Sequence, residues 1–200
     1  MDQKETLHRY LRLRRSELLA KLDGLDEYDV RRPLTPTGTN LLGLVKHVAS
    51  VEIGYFGEVF GRPHGQDLPW LKDGAEPDAD LWVPADETRD QIVELHHNAA
   101  AHSDVTIEAL PLDAAGEVPW WPEERRHVTL QQILVHMCVE TAQHLGHADI
   151  LRELIDGTAG KRPGDPNLTP RSPEEWTAHR ARIEAAARAA APVSGLASPQ

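Results

Sequence analysis

Four stretches of this sequence carry apolar residues at helical spacing, and no stretch of useful length alternates between apolar and polar residues. They run from Lys4 to Leu22, from Asn40 to Phe60, from Glu87 to Leu110 and from Thr129 to Gly157. Helices that each carry one apolar face bury those faces against one another. The sequence therefore predicts an all-α protein, built as an up-down four-helix bundle.

The ends of the predicted helices carry local signals. Thr39 is a candidate N-cap for the second helix, and Thr129 with Gln132 forms a capping-box pair at the start of the fourth. Long loops follow the second and third helices. They carry Trp70, Trp82, Trp120 and Trp121. A loop tryptophan either plugs the end of a bundle or lines the mouth of a ligand site, and the sequence leaves both interpretations open.

The composition changes after Gly157, which ends the fourth helix. The stretch "TAGKRPGDPNLTPRSP" resembles a linker, and Ser172 with Glu175 then signals the start of a C-terminal extra helix. The final residues, "APVSGLASPQ", are predicted to be disordered. We therefore expect a four-helix bundle over residues 1–157, followed by a linker, a short helix and a disordered tail over 158–200.

Charge and cysteine content exclude several classes of protein. The formal net charge of −11 gives no electrostatic basis for binding nucleic acid or an anionic membrane. The single cysteine, Cys138, excludes a disulfide framework and a cysteine-rich zinc site. No apolar run is long enough to span a membrane, and the start "MDQKETLHRY" is charged throughout. We therefore expect a cytoplasmic protein.

The fourth helix carries a carboxylate and several histidines where an apolar face should pack. Because successive residues rotate by about 100°, Glu140 and His144 fall on one margin of the apolar stripe. They are four residues apart, which stacks their side chains about 6 Å from each other. This is the spacing that a tetrahedral metal ion needs from two ligands on one helix. His136 and His147 rotate further away, toward solvent or a neighbouring helix, and rank below them.

A third ligand must come from a facing helix, and the second helix offers His47 in "LLGLVKHVASVE". Glu52 lies within the apolar stripe of the same helix, where an unpaired charge would be costly. It is expected either to orient a histidine or to pair with an arginine such as Arg14. Other candidates are expected to have no role in the site: Cys138 as a small core residue, and His64, His96, His97 and His136 as solvated or flanking histidines.

The histidine in "LVKHVASVE" and the pair within "HMCVETAQHLGHADILREL" resemble the DinB/YfiT-like four-helix bundles. The likeness covers roughly residues 4–157. Within that superfamily, the chain is most similar to the actinobacterial branch related to mycothiol-dependent transferases and maleylpyruvate isomerase. Many members have His-x-x-x-His in the last helix, whereas this chain has Glu140 at the first position, as the isomerase does. The resemblance implies His47, Glu140 and His144 as metal ligands.

Two imidazoles and one carboxylate suit a catalytic Zn²⁺, and Ni²⁺ or Fe²⁺ are alternatives. Such a site would ionise a bound thiol, which the resemblance identifies as mycothiol, for attack on an electrophilic small molecule. The expected activity is thus a metal-dependent thiol S-transferase. Two alternatives stay open: a zinc-dependent hydrolase that uses metal-bound water, and a non-catalytic metal-binding stress protein. A helical bundle of this kind is also compatible with a homodimer.

Overall fold

The computed structural model describes residues 2–161 and 164–191, and almost all of its regular structure is helical. The elements are α1 (Gln3–Leu19), α2 (Glu27–Arg31), α3 (Leu41–Phe56), α4 (Arg89–Ala109), β1 (Ala115–Glu117), β2 (His127–Thr129), α5 (Leu130–Asp156) and α6 (Pro173–Ala190). The long helices α1, α3, α4 and α5 pack side by side, so the predicted all-α bundle is confirmed. None of the described helices combines the length and apolar character needed to cross a membrane.

The four long helices run up, down, down and up, rather than in simple alternation. α1 and α5 are parallel, because Cys138 lies beside the Leu7 carbonyl toward one end and Asp149 pairs with Lys21 toward the other. α3 and α4 are also parallel, because residues 57–88 return along the bundle before α4 begins. α3 and α5 are antiparallel neighbours, because His47 faces Glu140 whereas the later Tyr55 faces the earlier His136.

Most helix ends follow the predicted capping chemistry. Thr129 and Gln132 form the expected capping box of α5, and Gly157 ends that helix with a φ of 78°. The N-cap of α3 is Asn40 rather than Thr39, because the Asn40 side chain accepts a backbone N–H of the first turn. Asparagine and threonine are both good N-caps, so the pattern alone could not separate two adjacent candidates.

Two short elements lie where the sequence predicted only loop. The helix α2 begins after its N-cap, Asp26, whose carboxylate accepts the N–H of Asp29 at 2.8 Å. The strands β1 and β2 pair antiparallel, with Gly116 opposite Val128. A glycine is needed there, because a Cβ on Gly116 would lie 2.9 Å from the carbonyl oxygen of Val59. The predicted all-α class therefore holds apart from one small hairpin, whose three-residue strands are too short to show alternation in the sequence.

The described residues fall into two compact units that divide at Gly164. The first contains the bundle, and every member of its three apolar clusters precedes Gly157. The second contains α6, which starts with the predicted capping box of Ser172 and Glu175. The tail expected to be disordered includes residues 192–200, which lie outside the described residues.

Candidate metal centre

The structure brings the three predicted ligands together between α3 and α5. Nε2 of His144 lies 3.0 Å from Oε1 of Glu140, and Nε2 of His47 lies 3.3 Å from the same oxygen. All three candidate ligand atoms lie within 4.8 Å of one another. Among the described residues, this is the one group of three histidine, cysteine, aspartate or glutamate side chains whose atoms converge in this way.

This donor set fits a small tetrahedral cation. Metal–ligand bonds of about 2.0–2.1 Å place neighbouring ligand atoms of a tetrahedron roughly 3.3 Å apart. The two distances from Glu140 to the histidine nitrogens are already close to that edge length. Two imidazoles and one carboxylate are also the donors that catalytic zinc sites use, with the fourth position left for a non-protein ligand.

Asp80 orients one of these histidines, and sequence analysis did not identify it. Its Oδ2 lies 2.6 Å from Nδ1 of His47. The carboxylate accepts the Nδ1 proton, and Nε2 of His47 faces Glu140. Loss of the Nε2 proton would leave that nitrogen free to bind a cation. Metal-binding histidines commonly donate their second N–H to a carboxylate in this way. Asp80 lies in a long loop, 33 residues from its partner, and no local pattern marks it.

The backbone that carries Asp80 packs directly on the first turns of α3. The carbonyl of Leu81 accepts a hydrogen bond from the Asn40 side chain at 3.1 Å. A Cβ on Gly43 would lie only 1.9 Å from that carbonyl oxygen, so only glycine allows the approach. Asp78 turns the loop with a φ of 61°. The helix that carries His47 therefore also fixes the segment that orients it.

Glu52 has a structural partner instead of a place in the metal centre. One of its carboxylate oxygens accepts a hydrogen bond from Nε of Arg15 at 2.9 Å, and the other forms an ion pair with Nη2 of Arg15 at 2.7 Å. The expected partner, Arg14, pairs with Glu17. Arg15 also donates to Asp104 at 2.6 Å. The alternative in which Glu52 orients a histidine is therefore wrong, because this buried pair lies on the α1 side of α3.

The side chains of the centre perturb one another electrostatically. Burial alone would lower the pKa of His47, but the carboxylates of Asp80 and Glu140 outweigh it and raise that pKa to about 9. Hydrogen bonds from His144 and His47 hold the pKa of Glu140 well below its usual range. The hydrogen bond from His47 likewise lowers the pKa of Asp80. Without a metal ion, His47 is therefore protonated on both ring nitrogens at pH 7, and it donates one hydrogen bond to Asp80 and one to Glu140.

Two further histidines of α5 stand beside the candidate ligands but contribute no atom to the group. The ring of His136 contacts Tyr55 and Trp121, with centroids 4.6 and 5.2 Å apart. His147 is exposed, and its ring centroid lies 5.3 Å from that of His144. The ranking of Glu140 and His144 above these two histidines agrees with this geometry.

His96 departs from the expectation of a solvated side chain. It is 4% exposed, and no described group bonds to either ring nitrogen. His97 is exposed as expected, and His64 is half-buried. Cys138 is half-buried against the apolar core, with Sγ 3.6 Å from the Leu7 carbonyl.

The four loop tryptophans separate into two groups. Trp120 and Trp121 lie between β1 and β2 and contact Tyr55 of α3. Trp70 instead donates to the Ser50 hydroxyl at 2.9 Å, and Trp82 is 45% exposed. The structure thus places two of them, rather than all four, beside the contact between α3 and α5.

Fold and site together define a four-helix bundle with a candidate metal centre between two of its helices. The family model for mycothiol-S-transferase matches residues 6–157, so the chain belongs to that family. The resemblance inferred from the helix motifs is thereby confirmed, and the chain is a transferase enzyme. None of the curated proteins compared with the chain matches it.

Proposed function

We propose that this chain is a zinc-dependent S-transferase that joins mycothiol to an electrophilic small molecule. The observation that carries the proposal is the single oxygen of Glu140 between the Nε2 atoms of His47 and His144. Family membership supports mycothiol as the thiol. A divalent cation held by these three residues would stabilise the thiolate form of the bound thiol, which is the nucleophilic form.

The chain's own sulfur is poorly suited to be the nucleophile. Cys138 is its only cysteine, and burial raises the pKa of that thiol. Its Sγ lies beside the Leu7 carbonyl, on the α1 side of α5. The reacting sulfur is therefore proposed to come from the cosubstrate. The chain contributes the ligand set and Asp80, which keeps the Nδ1 proton of His47 in place.

The metal centre is tested by metal analysis of protein purified without chelator. We expect close to one Zn²⁺ per chain, and a mixed content would show whether Ni²⁺ or Fe²⁺ competes. His144→Ala should abolish binding, because it removes one of three ligands. His136→Ala is the matched control on the same helix and should bind normally. An equal loss of bound metal in both variants would contradict the assignment of His144 as a ligand.

The activity is tested with an electrophilic fluorogenic probe offered with mycothiol, glutathione, bacillithiol or no thiol. Turnover should require both metal and thiol and should be fastest with mycothiol. His47→Ala should remove it while leaving the helical circular dichroism signal. Metal-dependent turnover with water alone would favour the hydrolase alternative. Stoichiometric zinc without turnover would favour the metal-binding stress protein.

A homodimer is part of the proposal, and the outer face of α5 supports it. Val135, Val139, Ile150 and Leu154 form an exposed apolar stripe, with exposed fractions of 44 to 62%. Gly146 lies within the stripe and has nothing within 4 Å of its added Cβ, so a second helix can approach closely. Contiguous exposed apolar patches mark interaction sites, and a second copy of the same helix is a self-complementary partner for such a stripe.

We also propose a cytoplasmic location, because the reaction consumes a free thiol. Reducing compartments keep low-molecular-weight thiols reduced. The unpaired Cys138 is compatible with such a compartment.

A further inference from the structure

Aromatic rings cluster where Tyr55 of α3 packs against His136 of α5. The ring of Tyr55 lies edge-to-face with those of Trp120 and His136, with centroids 5.4 and 4.6 Å apart. Trp121 completes the group, and its indole N–H donates to the Tyr55 hydroxyl at 3.1 Å. We call Tyr55, Trp120, Trp121 and His136 the aromatic cluster.

The aromatic cluster and the candidate metal centre share one side of both helices. On α3, Gly54 lies seven residues after His47, which is two turns along the axis and only about 20° around it. On α5, His136 lies four residues before Glu140, one turn away on the same face. At ~1.5 Å per residue, the two features are separated by about 10 Å along α3.

Trp120 is held in place but stays half exposed. A Cβ on Gly54 would lie 3.3 Å from Cη2 of Trp120, so the indole edge rests on the smallest residue of this face. The backbone behind it is anchored by Val118, which is fully buried and accepts the N–H of Trp121 at 3.1 Å. Trp120 nevertheless has an exposed fraction of 50%. A fixed, half-exposed indole offers a surface on which a second ring can pack.

The chemistry of the aromatic cluster selects among electrophiles. The aromatic cluster presents ring surfaces, and the Glu140 carboxylate of the candidate metal centre lies one turn along α5 from His136. Burial lowers the pKa of His136, and the charge of Glu140 opposes that shift only in part. Indole and phenol rings carry electron density on their faces, which attracts electron-poor rings and the positive edges of others. A planar, electron-poor ring fits this surface better than an aliphatic or anionic group.

We propose that the aromatic cluster is the subsite for the electrophile, and that the electrophile carries an electron-poor ring, such as a halonitrobenzene or a quinone. The proposal rests on the S-transferase function for its reaction, although ring binding itself needs no thiol. With 1-chloro-2,4-dinitrobenzene, the thiol sulfur bonds to the ring carbon that carries chlorine. Chloride leaves with the electrons of the carbon–chlorine bond, and the thiol proton passes to solvent.

Binding is tested first, without thiol, by equilibrium dialysis of the unreactive ring 2,4-dinitrotoluene against the metal-loaded protein. Trp120→Ala should raise Kd about tenfold, because the packing surface is lost, and Trp120→Phe should recover most of the affinity. Tyr28→Ala is the matched control, since it removes an exposed aromatic residue of α2 outside the cluster. Unchanged binding in Trp120→Ala, or equal weakening in Tyr28→Ala, would overturn the proposal.

Turnover is tested next with mycothiol and two electrophiles, 1-chloro-2,4-dinitrobenzene and the aliphatic iodoacetamide. Trp120→Ala should lower kcat/KM about tenfold for the aromatic electrophile only, with the metal content of the wild type. A loss of equal size for both electrophiles would show a structural role and overturn the subsite. If the S-transferase function itself is wrong, the wild type turns over neither electrophile. The dialysis experiment still tests the ring-binding subsite, because it needs no thiol and no reaction.

Discussion

Asp80 contacts the candidate metal centre through His47 alone, so its replacement separates orientation from ligation. In Asp80→Asn the carboxylate charge beside Nδ1 is lost while the side-chain shape is kept. We expect metal affinity to fall by about 10- to 100-fold, as is typical when such a partner is removed. Chelator competition measures the affinity, and circular dichroism checks the fold.

Asp78→Asn is the matched control for this change. It removes a charge from the same loop, and asparagine tolerates the φ of 61° found at that position. Its metal affinity should stay close to that of the wild type. If both variants weaken binding equally, loop charge rather than the hydrogen bond to His47 determines the affinity.

The buried His96 is expected to make the free energy of unfolding depend on pH. Burial, with the nearby charges of Arg15 and His97, lowers its pKa to about 4, against about 6.5 for an unfolded chain. As pH falls from about 6.5 to about 4, the unfolded chain binds a proton that the folded chain does not, so the free energy of unfolding decreases. Above this window, both states are neutral at His96 and the effect disappears.

The variant His96→Leu removes this titration. Urea unfolding at pH 7.5 and pH 5 should show a smaller acid-induced loss of stability in the variant than in the wild type. At pH 7.5 the variant should be about as stable, because both ring nitrogens lack a described partner and leucine is apolar. An identical pH dependence in both proteins would contradict the assignment.

The exposed apolar stripe of α5 predicts a dimer, and a single charged substitution within the stripe should disrupt it. Val139 lies within the stripe and is 60% exposed, so Val139→Asp should shift the protein to a monomer. Val105→Asp is the matched control, because Val105 is 56% exposed on α4, outside the stripe. Sedimentation velocity measures the oligomeric state. A wild type that is monomeric at high concentration would remove the basis for the proposed dimer.

Helices were predictable from the sequence because their signals are local. Apolar spacing and capping residues lie within a few turns of the element they define, as at Thr129 and Ser172. Glu140 and His144 could be predicted from the sequence for the same reason, since one helix positions both. The partner of Glu52 also had a local signal: Arg15 lies between the buried Leu11 and Leu18 on the α1 face, whereas Arg14 is rotated by about 100°.

The remaining features depend on contacts between distant segments. Asp80 reaches His47 only because Gly43 lets the loop backbone approach α3. The β-hairpin has three residues in each strand, which is too few for period-two alternation. Trp120 and Trp121 are placed by that hairpin, so their separation from Trp70 and Trp82 could not be inferred from loop membership.

At the scale of the whole molecule, the chain after Pro170 is expected to contribute little to the stability of the bundle. The helix α6 is composed mainly of charged residues and alanine, and its large apolar side chains are Trp176 and Ile183. Among the residues that the structure describes, the members of the bundle's apolar clusters all precede Gly157. Truncation after Pro170 should shift Tm by no more than about 3 °C, which corresponds to roughly 1 kcal/mol for a chain of this size.

Calorimetry of the truncated and full-length proteins measures this shift, and zinc content should be equal in both. A fall in Tm of many degrees would show that α6 stabilises the bundle, with Trp176 as the first residue to examine. Trp176→Ala in the full-length chain would then reproduce the loss.

The hairpin continues directly into α5, since Thr129 is both the last residue of β2 and the N-cap of the helix. The first N–H groups of α5 bond back to Ala114 and Leu112, at 3.0 and 2.9 Å. A segment fused in this way cannot swing as a hinged lid without unwinding the helix start, so its tryptophans are preorganised before any substrate arrives. Substitutions within residues 118–126 can then change which substrate is bound, while the helix faces that carry the candidate metal ligands stay unaltered.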